Sequence, residues 1–176
     1  MKGKQITIDL ELCKQFFYYD NLGNLYWKVN RTPKLCKNTI AGSLDKSKYI
    51  QVKLFGKLYS VHRILYQLYN NVELNENDII DHIDENKQNN KRENLRICDR
   101  SENGMNRKVQ RNNKSTGIKN IYRFFVDSYE YYYILIKKRN IKFSKLFRTD
   151  KYTLEQVIKI RDEKLKEIHG EFHNLG

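Results

Sequence analysis

The sequence predicts an α+β protein: β-hairpins and short helices through its N-terminal part, then a small three-stranded sheet with one packed helix. Three observations predict it. Residues 49–54 alternate, with Ile50, Val52 and Leu54 on one face and Gln51 and Lys53 on the other. Residues 131–136 alternate again, Tyr131, Tyr133 and Leu135 against Tyr132, Ile134 and Ile136. Residues 153–169 carry Val157, Ile160, Leu165 and Ile168 on an amphipathic helix that opens with Thr153 as N-cap.

The elements follow in chain order. Over residues 6–17, Leu10, Cys13, Phe16 and Phe17 recur at helical spacing, with Thr7 or Asp9 as N-cap and the aromatic rings assigned to the core. Asp20-Asn21-Leu22-Gly23-Asn24 is turn chemistry and leads to a strand at 25–29 around the single tryptophan, Trp27. Residues 31–38 hold the only proline and three basic residues, so they read as a loop. After the strand at 49–54, Phe55-Gly56-Lys57 turns the chain into a partner strand at 58–61, a hairpin. A helix at 62–69 turns Leu65, Leu68 and Tyr69 to the core.

Residues 79–106, IIDHIDENKQNNKRENLRICDRSENGMN, stand apart through the order of their polar groups. Asp81-His82 closes a short apolar run whose Ile79 and Ile80 pack inward. A loop crowded with amides follows, and Leu95-Arg96-Ile97-Cys98 forms a second strand, with Leu95 and Ile97 sharing a face. A helix then carries Asn103 and Asn106 one turn apart. Two strands around a loop, then a helix, can aim Asp81, His82, Asn94 and Asn103 at one point. A carboxylate and an amide oxygen are hard ligands suited to Mg²⁺ or Mn²⁺. An imidazole beside them titrates near neutrality and can act as a general base. That combination reads as metal-assisted hydrolysis of a phosphodiester.

The order D-H, then N-L-R, then S-E-N-x-x-N resembles the HNH endonucleases with a ββα-metal (His-Me) finger, of the phage and intron homing type. Asp81, His82, Asn94, Asn103 and Asn106 fall in its register, as does Val61-His62-Arg63 ahead of it. The resemblance implies a finger at about 78–106. Asp81 and Asn103 would hold one divalent cation, Mg²⁺ or Mn²⁺, and His82 would deprotonate the attacking water. Asn94 would orient His82 or hold the loop. Asn106 supports the site or makes a helix-surface hydrogen bond. Asn103 stands where the family often has a final His, which disfavours zinc. Asp84 is assigned to capping the loop, and His62 to packing.

Beyond the finger, Arg107, Lys108, Arg111 and Lys114 run through a polar linker at 107–116. Strands at 118–123, 131–138 and 141–147, a turn at Arg139-Asn140 and the helix at 153–169 make a second unit. This unit resembles the Apetala-type DNA-binding module, which implies that Arg123, Lys137, Arg139, Lys142 and Arg148 meet DNA. His169 and His173 read as terminal surface residues. The domains expected are therefore 1–106, the endonuclease domain; 107–116, the linker; and 117–176, the DNA-binding domain.

Composition bounds the function. The net charge of +13 on 176 residues points to a polyanionic partner, nucleic acid rather than a membrane, and the resemblance implies double-stranded DNA. Three widely spaced cysteines without a C-x-x-C pair argue against a disulfide framework and a structural zinc site. No run is apolar enough to span a membrane and the N-terminus lacks a secretory apolar core, which leads to the expectation of a cytoplasmic, host-cell or phage-encoded protein. One finger and no coiled-coil heptads lead to the expectation of a monomer on DNA, and no small-molecule cofactor is expected. The readings weighed against a DNA endonuclease are a catalytically silent DNA-binding protein and an RNA nuclease.

Overall fold

The computed structural model describes residues 6–30, 37–106, 113, 115–173 and 175. Small antiparallel sheets and four α-helices form the described residues, as the α+β expectation has it. They group into two compact units, Met1–Asp99 and Arg100–Gly176. No helix among the described residues is long and apolar enough to cross a membrane.

In the first unit, α1 (Leu10–Phe16) starts on Asp9, whose carboxylate accepts from the Glu11 and Leu12 N–H groups at 2.8 and 3.2 Å. Phe17, expected to end this helix, instead begins β1 (Phe17–Tyr19), which pairs with β2 (Leu25–Trp27) through Phe17↔Trp27. The aromatic run from Phe16 to Tyr19 fits a pleated surface better than a helix end. Asp20 closes the hairpin by accepting from the Leu22 and Asn24 N–H groups, both at 2.9 Å. β3 (Ser43–Leu44), β4 (Ile50–Leu54) and β5 (Lys57–Ser60) form an antiparallel sheet in that order.

α2 (Val61–Asn70) follows β5 directly and organises the unit. Val61, Ile64 and Leu65 enter a core with Phe17, Leu25, Trp27, Val52 and Leu54. Its buried polar residues tie down the chain on either side. Gln67 Nε2 donates to the Ile8 carbonyl at 3.0 Å, and its Oε1 accepts from the Leu74 N–H at 2.9 Å. Arg63 donates to the Asn75 carbonyl at 2.8 Å and to that of Asp78. The segment after α2 is thus fixed at both ends, and β6 (Ile79–His82) begins from a set position. β6 pairs with β7 (Leu95–Cys98) in the register Ile79↔Cys98 through His82↔Leu95. Leu95 is buried as expected, but Ile97 on the same face is 47% exposed. Ile80, its partner in register, is buried, as is Cys98 at the end away from the loop.

The second unit opens with α3 (Arg100–Met105). β8 (Ile121–Val126), β9 (Tyr129–Lys138) and β10 (Ile141–Arg148) form an antiparallel sheet with β9 in the centre. β8 starts later than the sequence predicts because Asn113 and Thr116 side chains cap the Ile121 carbonyl at 3.0 and 2.6 Å, holding the preceding residues in turns. It also runs further, and pairs up to Val126↔Tyr129 across a two-residue turn. α4 (Leu154–His169) starts in a capping box between Thr153 and Gln156. Its buried residues Val157, Arg161, Leu165 and His169 recur every four positions, so one face packs on the sheet. His169, expected at the surface, is 3% exposed because it is the last member of that stripe.

In the first unit the β1–β2 turn closes on the loop after β6. Gly23, at φ +85°, lies against the backbone of Asn90, where an added Cβ would stand 2.6 Å from the Asn90 carbonyl carbon. Gly23→Ala is expected to destabilise the protein by about 2 kcal/mol or more, through the positive φ and the overlap. Urea denaturation checks this; an unchanged midpoint would contradict the contact.

Candidate active site

The β6–β7 hairpin sets Asp81 and His82 side by side at the loop end of β6, 8% and 4% exposed. Each has a partner. Arg96 stands opposite Asp81 in register and approaches its Oδ2 with Nη2 at 3.0 Å and Nε at 3.3 Å. The His82 Nε2 lies 3.0 Å from Asn90 Oδ1. An amide oxygen only accepts, so with this geometry Nε2 carries the proton and the lone pair of the neutral ring sits on Nδ1.

Asn90 is itself held. It is 1% exposed; its carbonyl accepts from the Tyr69 hydroxyl at 3.0 Å, and Gly23 abuts its backbone. Asn94, offered two roles by the sequence, makes the contacts of the loop-holding one. Its Oδ1 accepts from the Asp84 N–H at 3.0 Å, and its Nδ2 donates to Asp84 Oδ1 at 2.9 Å and to the Asn89 carbonyl at 2.7 Å. Asp84 also accepts from the Asn86 N–H and the Asn89 side chain, at 2.8 and 2.7 Å. Partial burial works to raise the Asp84 pKa, but the Asn89 and Asn94 amides outweigh it and hold the carboxyl below its ordinary range. Asp84 therefore caps the loop.

His62, in the first turn of α2, packs its ring 5.1 Å from that of His82 and 5.3 Å from Tyr49. Lys87 lies 4.4 Å over the other ring of this group, Tyr49. Burial first, then the neighbouring His82 and Arg63 charges, pushes the His62 pKa down to about 3. His62 is thus a neutral wall behind His82.

The donor set fits a hard divalent cation in kind. A carboxylate offers about four lone-pair positions, so the Arg96 bridge does not exhaust Asp81. The Asp81 carboxylate is a hard oxygen donor of the kind that suits Mg²⁺ or Mn²⁺. Among the described residues no group of three or more His, Cys, Asp or Glu could hold a metal. Asn103, in α3, is half-buried, and Asn106 just after it is buried, its N–H donating to the Glu102 carbonyl at 3.3 Å. Both belong to the second unit. Cys13 and Cys98 are buried thiols; burial pushes the Cys13 pKa up to about 12, so it is inert.

Of the residues expected at DNA, Arg107, Lys108, Arg111 and Lys114 lie outside the described residues. Lys137 and Lys142 are exposed and directly opposite one another on β9 and β10. Arg148 pairs with Asp150 at 3.0 Å and lies 3.8 Å over the Tyr129 ring. Arg123 pairs with Glu130 at 2.7 Å, and Arg139, in the β9–β10 turn, with Glu102 at 3.6 Å.

The sequence reading missed Asn90, Arg96, Tyr69 and Gly23. Pairing β6 with β7 would have placed Arg96 opposite Asp81. Nothing local separates Asn90 from Asn86 or Asn89, because its distinction is burial.

The neutral state of His62 has a consequence for stability. Its folded pKa lies below its ordinary 6.5, so the unfolded chain binds the proton more readily, and stability falls as pH drops from about 6.5 toward 3. His62→Phe is expected to flatten that acid limb in urea midpoints measured from pH 7 to 4. An acid limb equal to that of the parent would contradict the buried neutral ring.

Comparison with known proteins adds a sequence match over this stretch. Residues 59–105, about a quarter of the chain, match the family model for the HNH endonucleases. No curated protein matches the chain. A structure on DNA binding and cleavage by the HNH homing endonuclease I-HmuI is similar at a TM-score of 0.42 with 22% identity, over 92% of this chain and 83% of that one, a likeness too loose to build on. The stretch that carries Asp81, His82, Asn90 and Asn94 is therefore similar to the HNH endonucleases, which supports a nuclease enzyme.

Proposed function

We propose that the chain is a divalent-metal-dependent endonuclease that hydrolyses phosphodiester bonds in double-stranded DNA, of the homing or phage type. The observation that carries this is the buried pair Asp81 and His82, each held by its own partner, inside the stretch that matches HNH endonucleases. His82, with its Nε2–H engaged by Asn90, would take the proton of the attacking water on Nδ1. Asn90 fixes the ring and its tautomer, His62 backs it, and the Asp84–Asn94 network keeps the loop from drifting. Asp81 and Asn103 would hold the cation, Mg²⁺ or Mn²⁺, with Arg96 orienting the Asp81 carboxylate. When bound, it would supply positive charge against the charge that grows on the phosphate and the leaving oxygen.

The second unit would grip DNA, in keeping with its resemblance to Apetala-type modules. Lys137, Lys142 and Arg148 would contact it from the sheet. Arg123, Arg139 and Arg148 would have to exchange their carboxylate partners for phosphates. The linker cations Arg107, Lys108, Arg111 and Lys114 would add sequence-independent affinity. With one such site per chain, the protein would act as a monomer in the cytoplasm and nick supercoiled plasmid before linearising it.

Plasmid cleavage with Mg²⁺ tests the reading. His82→Ala is expected to abolish cleavage with DNA affinity within about twofold of the parent, and excess chelator to stop the parent. Asn90→Ala is expected to slow cleavage roughly tenfold to a hundredfold, again at unchanged affinity. Cleavage by the parent in excess chelator, or by His82→Ala at the parental rate, would refute the mechanism.

A further inference from the structure

The sheet of the second unit has two unlike faces. Ile121, Tyr132, Ile134, Ile136, Phe143 and Phe147 pack toward α4. By alternation, Tyr122, Phe124 and Val126 of β8, Tyr129, Tyr131, Tyr133, Leu135 and Lys137 of β9, and Lys142, Ser144, Leu146 and Arg148 of β10 share the opposite face. The register sorts them into cross-strand rows. Tyr122 lies opposite Tyr133, which lies opposite Leu146; Phe124 lies opposite Tyr131, which lies opposite Arg148; Lys137 lies opposite Lys142. Ring contacts agree with this placement: Tyr122–Tyr133 at 6.4 Å, Phe124–Tyr131 at 6.3 Å and Phe124–Tyr133 at 6.0 Å. The face is open to solvent, with Tyr122 38%, Tyr129 50% and Leu146 49% exposed.

An apolar, ring-covered face of this kind needs a partner that offers flat π surfaces, and the cations around it need negative charge. Base planes with a phosphate backbone offer both. In a duplex the base planes are stacked on one another and only their edges reach the grooves, where they are read by hydrogen-bonding side chains. This face offers mostly ring planes and few such groups. In a single strand the base planes are free to stack on aromatic side chains. Rows on one strand recur every two residues, roughly 7 Å apart, so neighbouring rows can take successive bases. The Lys137–Lys142 row at one end and Arg148, paired with Asp150, near the other supply cations for the backbone.

We propose that this aromatic face binds single-stranded DNA, with Tyr122, Phe124, Tyr131 and Tyr133 as stacking platforms and Lys137, Lys142 and Arg148 as phosphate contacts. This rests on the proposed DNA grip of the second unit and deepens it: Lys137, Lys142 and Arg148 meet the backbone of either a duplex or a single strand, the rings stack only on a single strand, and the surface works without metal. A strand freed next to a nick is one source of such DNA.

The test uses the full chain in excess chelator, so that binding is read apart from cleavage. Fluorescence anisotropy follows a labelled oligo(dT) of about 15 nucleotides, a duplex of the same length and oligo(U). Tyr131→Leu, which keeps bulk and loses the π face, is expected to weaken oligo(dT) binding roughly five- to hundredfold, the range for one lost base–ring stack. Tyr131→Phe is expected to bind like the parent, and duplex affinity to stay within about twofold in both. Tyr122→Leu, on the edge strand, gives a second reading should Tyr131→Leu melt at a lower temperature than the parent. Equal loss on duplex and single strand, no loss on oligo(dT) in either Leu variant, or a loss confined to oligo(U) would each overturn the proposal.

Discussion

A hydrogen bond between two buried side chains, His82 Nε2 and Asn90 Oδ1 at 3.0 Å, is the constraint on which the arrangement of the first unit converges. It joins a strand end to the middle of a long polar loop, and neither residue can relax into water. The bond is only as good as the placement of Asn90. Three features fix that placement: the Tyr69 hydroxyl on the Asn90 carbonyl, the bare backbone of Gly23 beside it, and the Asp84–Asn94–Asn89 network further along the loop. The other side of the bond depends on β6, which starts where Arg63 and Gln67 of α2 tie the preceding segment.

Burial of polar groups is costly unless they are paired, so the number of buried polar residues here sets a demand on the whole unit. Most of the demand is met by amides rather than by charges. An amide offers a donor and an acceptor at no ionic desolvation cost, which suits a loop whose polar groups are buried. The ion pair of this hairpin, Asp81 with Arg96 at 3.0 Å, orients the carboxylate. His62 fills the space behind His82 without adding a charge, since burial keeps it neutral.

The parts of the fold that the sequence made legible were those with a local period or a local signal. The alternation at 49–54 and 131–136, the N-cap at Thr153 and the turn at Arg139-Asn140 all describe forces within a few residues of each other. Phe17 went to a strand because pairing with Trp27 outweighed helical spacing, and that pairing lies across a turn. His169 was buried by a four-residue stripe that only a packed sheet makes meaningful. In the candidate site, Asp81, His82 and Asn94 were legible as a motif. Asn90 was not, because what distinguishes it from its neighbours is contact with Gly23 and Tyr69, residues distant in the chain.

Asn90 thus holds His82 in one neutral tautomer with the lone pair on Nδ1, and the proposed chemistry depends on that state. Ring ¹⁵N chemical shifts of His82, read in the full chain above the titration range of a free imidazole and compared with Asn90→Ala, test it most directly. The account predicts a protonated Nε2 and an unprotonated Nδ1 in the parent, with averaged tautomers once Asn90 is truncated. A parent ring protonated on Nδ1, or shifts that Asn90→Ala leaves unchanged, would contradict it.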